Sequence, residues 1–400
     1  FLDKAYRQEV GRQAFYDAQY QAIVEIEGLF GEMEGVSFQD TLNGLWVSMQ
    51  ELAKEPDSIV TRASFVQSAV NFMERAENIA YQMKDYQINL NIQVKDIVNR
   101  INKIGDEIKT LNHKIRYYES NGLENANDLR DQRNLLLDEL GKLVNITYRE
   151  DDKGVVTVNL EGTAFVTEDM VFHMEAKKLT TGSDMLTPVW PAHKDAPVFN
   201  FDRIPSLEAN TDIGYLKGLI LARGDKAANY LDIPVRTSPE GEDPVADAEY
   251  NQKVEEYNKK IASSTIMNIQ AQFDQLIHGI VTTINDILCP NTVDIDGTVI
   301  LDTDKAPVCA DGTTRGIELF KRKAVDRYTL DGDRYIFNGE DPDNKHSLYT
   351  VGEIEINPLI LQDYANLNLS NGAGTGDYDK DAIESLLSKR QEPFATLSPN

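Results

Sequence analysis

The sequence predicts a mainly α fold with β additions: a long antiparallel helical bundle bearing a β-hairpin, plus a small inserted β-rich domain. Three observations carry this. Met83, Tyr86, Leu90, Val94, Ile97, Ile101, Ile104, Ile108, Leu111, Ile115 and Tyr118 recur in steps of three and four, the spacing that holds one face of a helix against a partner. Ile266, Ile269, Phe273, Leu276, Ile280, Ile284 and Ile287 form a second stripe of the same kind. Each stripe is followed by short, alternating, β-branched runs separated by Asp, Asn and Gly turns, the pattern of strands.

Taken in order, residues 1–31 read as a helix with Tyr6, Val10, Phe15, Tyr16, Ile23, Ile26 and Leu29 as its apolar positions. A second helix covers residues 38–54, with Phe38, Leu42, Leu45, Met49 and Leu52 on one side. Glu55-Pro56-Asp57-Ser58 stops it, because the residue before a proline is steered out of the helical region, and supplies caps for the next helix. No proline interrupts the chain between Pro56 and Pro188, so that helix runs from about residue 58 to about residue 120, where Asn121-Gly122 ends it. At about 1.5 Å per residue it is a rod of roughly 90 Å. Its steps Tyr86, Leu90, Val94, Ile97 insert a stutter that locally relaxes a left-handed supercoil.

Another helix follows over residues 126–143, bearing Leu129, Leu136, Leu140 and Leu143. Residues 145–149, 155–160 and 164–166 then alternate as strands, and Asp151-Asp152-Lys153-Gly154 turns the first two into a hairpin. Residues 180–205 are rich in Pro and Thr and extended, and helical pattern returns over residues 214–230. After the polar loop at 238–244, a second long helix spans residues 247–288; two rods with matching seams want to lie antiparallel in one bundle. Beyond Pro290 the pattern is β-like and acidic to Ile356, and the Asn-, Gly- and Ser-rich tail holds one short helix near 381–389. The resulting division is a core domain in two parts, 1–205 (hairpin at about 145–167) and 206–290, a small variable β-rich inserted domain at 291–353, and a return segment at 354–400.

The bulk composition excludes several classes. At 41% hydrophobic and 26% charged residues the chain is composed like a folded protein, and 400 residues leave room for two or three domains. Acidic residues outnumber basic ones 66 to 40, a formal charge of −26, which argues against nucleic acid and against anionic membrane surfaces. No apolar run is long enough to span a bilayer, and no basic-then-apolar leader opens the sequence. Phe1-Leu2-Asp3-Lys4 opens as if already inside a helix, so the chain reads as a fragment. Cys289 and Cys309 form neither a disulfide framework nor a zinc constellation, and read as unpaired thiols.

No segment makes a convincing active site, cofactor site or metal site. Asp294-Ile295-Asp296-Gly297-Thr298-Val299 copies the DxDGT signature of phosphoryl-transferring haloacid-dehalogenase-like enzymes, in which the first Asp is the nucleophile and the second the acid. That chemistry needs a buried strand before the first Asp and a doubly wound sheet after it; Cys289-Pro290-Asn291-Thr292-Val293 and the remaining hundred residues supply neither. A hairpin turn is the reading preferred. Asp331-Gly332-Asp333 and Glu340-Asp341-Pro342-Asp343-Asn344 lack EF-hand spacing and read as solvated acidic turns. His113, His173, His193, His278 and His346 show no paired spacing, and Gly372-Ala373-Gly374-Thr375-Gly376 lacks the strand and helix that a phosphate loop requires.

One segment carries a resemblance. Asn127-Asp128-Leu129-Arg130-Asp131-Gln132-Arg133-Asn134-Leu135-Leu136, followed by Leu140-Gly141-Lys142-Leu143-Val144-Asn145, Asp152 to Val158 and Gly162, resembles the flagellar hook-associated protein 1 family, FlgK, in the order motif, helix, hairpin, glycine. Leu45-Trp46 through Leu52-Ala53-Lys54-Glu55-Pro56, Arg62 and Ala69 fit the same family upstream, as do Phe1-Leu2 through Tyr6-Arg7 and, near the end, Ile354-Glu355-Ile356-Asn357-Pro358. Asn134 and Trp46 depart from its commonest residues. The likeness covers the first 170 residues well and about 214–288 and 354–370 more loosely; 291–350 falls outside it.

The resemblance implies a structural axial protein of the bacterial flagellum, not an enzyme, exported by the flagellar type III route without a cleaved signal peptide and located outside the cell. It would join hook to filament, next to the hook protein and the second hook–filament junction protein, self-assembling into a ring in the full-length protein, with an export chaperone bound through a C-terminal segment absent from this sequence. Paired terminal helices would line the channel, leaving the present residues as outer domains. Long packed helices suit transmission of torque, and the acidic variable module suits a soluble exterior. On spacing alone, Asp128, Arg130, Asp131 and Arg133 are candidates for caps and lateral ion pairs, or the two aspartates simply favour a helix N-terminus. Two alternatives stay open: another axial protein (the second junction protein or a flagellin-like one), and a phosphotransfer enzyme using Asp294 and Asp296.

Overall fold

Helices α1 (Leu2–Phe30), α2 (Phe38–Lys54), α3 (Ile59–Glu119) and α4 (Asn127–Leu143) open the chain, followed by strands β1 (Ile146–Glu150), β2 (Val156–Leu160) and β3 (Thr163–Val166). Strands β4 (Glu175–Lys178), β5 (Leu186–Trp190) and β6 (Ala196–Pro197) precede helices α5 (Tyr215–Arg223), α6 (Pro244–Lys260) and α7 (Thr265–Leu288). The remainder holds β7 (Asn291–Val293), β8 (Val299–Leu301), β9 (Phe320–Arg322), β10 (Tyr328–Asp331), β11 (Arg334–Phe337) and β12 (Ile354–Ile356), then α8 (Pro358–Gln362) and α9 (Lys380–Ser388). The computed structural model describes residues 2–31, 37–120, 126–180, 183–372, 378–390 and 396–399. Phe1, the expected stop at Asn121-Gly122 and most of the glycine-rich loop at 372–376 lie outside the described residues. The chain divides into two compact units: residues 1–26, 84–227 and 255–268 in one, and 27–83, 228–254 and 269–400 in the other.

In the first unit, α1 meets α4 and α5 where small residues let backbones close. Gly214 N–H donates to the Gly11 carbonyl at 2.9 Å, and Arg7 Nε reaches Asp138 at 2.7 Å. A Cβ on Gly218 would collide with the Phe15 backbone, so α5 crosses α1 only because that position is glycine. Strands β1, β2 and β3 form an antiparallel meander, with Ile146 opposite Leu160 and a bulge at Val158/Asn159. The turn between β1 and β2 is the one the sequence marks: Asp151 accepts from Lys153 and Val155 N–H at 2.9 and 2.8 Å, and Gly154 takes φ of 75°. A second antiparallel sheet has the order β4-β5-β6.

The seam from Ile97 to Ile115 packs within this unit on α4 and the β segments, whereas residues 269–288 of the stretch expected to be its partner belong to the other unit. Gly105 lies against Phe165 and Val171, Ile115 lies against Gly154, and Arg100 clasps Glu139 at 2.7 and 2.6 Å. Three asparagines about three turns apart on α3 dock strand backbone: Asn91 to Asp184 O and Leu186 N, Asn102 to Met174 O and N, Asn112 to Val156 O and N, all at 2.8–3.1 Å. Each amide gives one donor and one acceptor, as a neighbouring strand would.

The second long helix is interrupted. Instead of one rod over 247–288, α6 ends at Lys260 and α7 begins at Thr265. Ser263 Oγ donates to the Lys259 carbonyl at 2.6 Å, competing there with helical pairing, and Ser264 Oγ ties the break to Ala222 O on α5 at 3.3 Å. The helix expected over 214–230 is likewise shorter, because Gly224 takes φ of 76° and ends α5.

In the second unit, α2 starts with a capping box in which Ser37 and Asp40 satisfy each other's backbone N–H groups. Its apolar face joins a phenylalanine cluster: Phe273 lies 5.3 Å from Phe30 and 5.2 Å from Phe38, and Phe38 lies 5.8 Å from Phe72. Here α7 and the start of α3 do share a core. Strands in the order β10-β11-β8-β7 form one sheet and β12 pairs with β9. Cys289 and Cys309 are free, buried thiols on opposite ends of one amide, Cys309 Sγ donating to Asn368 Oδ1 at 3.0 Å and Asn368 Nδ2 to Cys289 Sγ at 3.6 Å.

Replacing Gly218 by Ala should force α5 away from α1 and cost about 1–3 kcal/mol, the usual penalty of overpacking. Urea denaturation should show a lowered midpoint with little change in slope. An unchanged midpoint would mean the crossing is looser than the backbone contact requires.

Candidate functional site

The residues singled out by the family motif sit on the first turns of α4. Asn127, Asp128, Asp131 and Gln132 are exposed, Leu129 and Arg130 are half-buried, and Arg133 is buried at 2% exposure. Ala126 stands at the helix N-cap without a side-chain cap of its own; its N–H is taken by Glu119 Oε1 at 2.9 Å. The cap therefore comes from the end of α3, not from Asp128 or Asp131.

Arg130 and Arg133 form one charged knot. Arg130 grips Glu119 with two parallel bonds, Nε to Oε1 at 2.9 Å and Nη2 to Oε2 at 2.7 Å, and its Nη1 reaches Glu150 on β1. Arg133 donates Nη2 to the same Glu150 at 2.9 Å, and Nη1 to Asn112 Oδ1 at 2.9 Å and the Gly154 carbonyl at 2.5 Å. Four pieces meet here: the end of α3, the start of α4, strand β1 and the β1–β2 turn. The Arg130 clasp drives the Glu119 carboxyl down to about 2, with the Ala126 N–H adding to it. Arg130 itself is pushed up by Glu119, whereas burial pushes Arg133 down. The knot fixes the register of a helix pair against a hairpin.

The other predicted positions fall as follows. Met83, Leu90, Val94, Ile101, Ile104, Ile108, Leu111, Ile115, Ile266, Phe273, Ile280 and Ile284 are buried; Tyr86, Ile97, Ile269, Leu276 and Ile287 are half-buried; Tyr118, read as the end of the stripe, is exposed. Asp294 and Asp296 lie in the β7–β8 turn, where Gly297 has φ of 84° and Arg334 Nη1 holds both carboxylates at 3.0 and 2.9 Å. Ile295 between them is fully exposed, so no buried strand positions the pair.

Glu340 is a site the sequence concealed. Read as part of a solvated turn, it is half-buried and accepts from Tyr230 Oη and Tyr349 N–H at 2.6 Å each, with His278 Nε2 at 2.9 Å. Tyr230 stacks on His278, ring centroids 3.9 Å apart. Nearby, Glu318 is buried against Tyr349 and Asn285, and loss of water raises its carboxyl to about 7. Neither glutamate stands in a local pattern that separates it from the surrounding acidic loops. Among the described residues no group of three or more His, Cys, Asp or Glu side chains is arranged to hold a metal ion, and no helix is long and apolar enough to cross a membrane.

A family model described as the flagellar hook-associated protein FlgK helical domain matches residues 23–299, well over half of the chain. This chain belongs to the FlgK family. It is 28% identical over 167 residues to flagellar hook-associated protein 1 of Bacillus subtilis strain 168, covering 42% of this chain and 33% of that protein. The corresponding protein of Salmonella typhimurium is 23% identical over 235 residues, 58% of this chain and 41% of the relative. The chain thus spans between a third and a half of these relatives' length. Its fold is similar to that of the flagellar hook junction protein FlgK from Burkholderia pseudomallei, with a TM-score of 0.52 at 18% identity over 80% of this chain and 46% of that one.

In this FlgK-family chain the Arg130–Arg133 knot generates two expectations. Arg133→Ala takes the donor from the Gly154 carbonyl in the interior and leaves Asn112 Oδ1 with Val156 N–H alone, and should cost about 1–3 kcal/mol, read as a lowered urea midpoint. Glu119 has a folded pKa below its unfolded value of 4.5, so its contribution is complete above that value and is lost as pH falls toward about 2. Melting temperatures measured from pH 6 to pH 2 should therefore fall less steeply for Glu119→Gln than for the parent. Parallel curves would remove Glu119 from the acid response.

Proposed function

We propose that this chain is the outer, non-catalytic part of an axial protein joining hook to filament in the bacterial flagellum. The observation that carries the reading is the FlgK-family match across residues 23–299, the stretch that contains the long helices and the motif-bearing α4. The protein would leave the cell by the flagellar export route without a cleaved signal peptide and stand outside it. It would assemble as a ring between the hook protein and the second junction protein, with an export chaperone as a further partner. In this reading residues 1–205 and 206–290 build the core domain, 291–353 form the variable outward module and 354–400 return to the core.

The physical features support a structural role. Apolar seams give α3 and α7 partners along their length, and the Arg130–Glu119 and Arg133–Glu150 ties hold the helix–hairpin register. The phosphotransfer alternative is disfavoured because Asp294 and Asp296 lie in an exposed turn, both tied to Arg334, with no buried strand to position a nucleophile.

Deleting the parent gene should give cells whose hooks carry no filament, with filament subunits lost to the medium. Restoring it should place an antibody label at the boundary between hook and filament. Label distributed along the filament would favour the flagellin-like alternative, and filaments still seated on hooks in the deletion strain would overturn the junction role.

A further inference from the structure

The first unit contains a cavity of about 590 Å³, within the range of ligand pockets, between sheet β4-β5-β6, helix α5 and the α6–α7 break. Its charge is opposite to that of the chain as a whole. Lys177, Lys178, Arg223, Lys259 and Lys260 line it, against only Asp195 and Asp225. Lys177 and Lys178 already hold Asp195 and Asp184 at 2.6 and 2.7 Å, and Lys260 lies 3.8 Å from Glu256. Arg223 is different. It is fully buried, its Nη1 and Nε are spent on Asn91 Oδ1, Leu186 O and Gly224 O, and its Nη2 has no hydrogen-bond partner among the described residues. All its hydrogen bonds go to neutral acceptors and Asp225 acts on it only through space, and an interior cation of this kind is costly unless an anion completes it.

The remaining walls are apolar, chiefly Phe199, Phe201, Ile220 and Met267. Beside them runs β4, an edge strand that pairs only with β5 among the described residues and so leaves one side open to an extended chain. We propose that this cavity is the docking site for an acidic–apolar segment of a partner polypeptide: large apolar side chains seat against Phe199, Phe201 and Met267, and an adjacent carboxylate is drawn to Arg223 and met at the rim by Lys259 and Lys260. A polypeptide is favoured over a small molecule because the open strand edge offers main-chain pairing next to the side-chain pocket. The inference goes beyond the junction role and stands or falls independently of it.

The test is a titration of the folded chain with a fluorescent, acetylated hexapeptide of alternating Glu and Leu, compared with its Gln-and-Leu counterpart and with dodecanoate. Saturable binding should weaken about tenfold on replacing Glu by Gln, and by a similar factor in the double variant Lys259→Glu, Lys260→Glu. Those lysines are exposed, so melting of that variant should match the parent. Arg223→Gln should abolish binding; if it also impairs folding, the lysine variant still decides. Equal binding of both peptides, or indifference to the lysine reversal, overturns the proposal. So does binding of dodecanoate without the acidic peptide, which would make this a small-molecule pocket. Concentration-dependent self-association of the parent that the lysine variant lacks would also overturn it, giving the cavity to a second copy of this chain.

Discussion

A helix of 61 residues cannot bury its own apolar stripe, and most of the packing follows from how α3 is covered. Lys84 to Glu119 belong to one unit and Ile59 to Met83 to the other, and the two stretches are covered by different means. In the second unit cover comes from aromatic rings, Phe72 meeting Phe38 within the cluster around Phe273. In the first unit it comes from α4 and from β segments too short to satisfy their own backbone groups. Asn91, Asn102 and Asn112 supply what those segments lack, each acting as a fragment of a strand on the side of a helix. Burial of a polar backbone group without such a partner costs more than a hydrogen bond gains, so the position of each amide dictates which strand residue can sit there.

Arginine plays the corresponding part for loops and turns. Arg62 donates to the carbonyls of Pro56 and Leu367 at 2.8 and 2.9 Å, and Arg322 to those of Ser347 and Asn338 at 2.6 and 2.7 Å. Arg133 adds the Gly154 carbonyl to its carboxylate. A guanidinium offers five donors in a rigid plane, so one buried side chain can close several carbonyls of an irregular segment. The net stabilisation from burying such a charge is small or negative; what it provides is a single arrangement of loops that would otherwise have many.

The helices were legible because periodicity reports burial on a face: Leu45, Met49 and Leu52 on α2, Ile101, Ile104 and Ile108 on α3, and Phe273, Ile280 and Ile284 on α7 are buried. On α4 the buried side is instead Arg133, Leu137 and Leu140, and of the four leucines read as its stripe only Leu140 is buried. The β1–β2 hairpin was legible because Asp151 and Gly154 have few alternatives at a tight turn. Periodicity is silent about which element covers a face. Two stripes of the same step were read as partners, yet Ile97 to Ile115 and Ile269 to Ile287 belong to different units. It is equally silent about the break that divides one apparent rod into α6 and α7, where Ser263 and Ser264 bond to Lys259 O and Ala222 O. In the motif, Arg130 and Arg133 could be flagged but not assigned. Their partners Glu119, Glu150 and Asn112 come from other elements, and the neighbouring Asp128 and Asp131 were the more conspicuous acids.

Repeating stripes and discrete polar ties answer different demands. An apolar seam with three- and four-residue steps looks nearly the same after a shift of one or two turns, so by itself it resists separation of two elements better than sliding. A tie such as Asn112 to Val156, or Arg133 to Gly154, has one register only, and a shift of about 5 Å along the helix breaks every bond it makes. The α3 interface in the first unit alternates the two: Ile101 precedes Asn102, Ile104 and Ile108 lie between Asn102 and Asn112, and Ile115 lies about one turn beyond the latter. Cover from the apolar residues and register from the polar ones are thereby built into the same face. Resistance to slip is the property that the apolar stripe cannot supply, and the asparagine and arginine ties are where this chain obtains it.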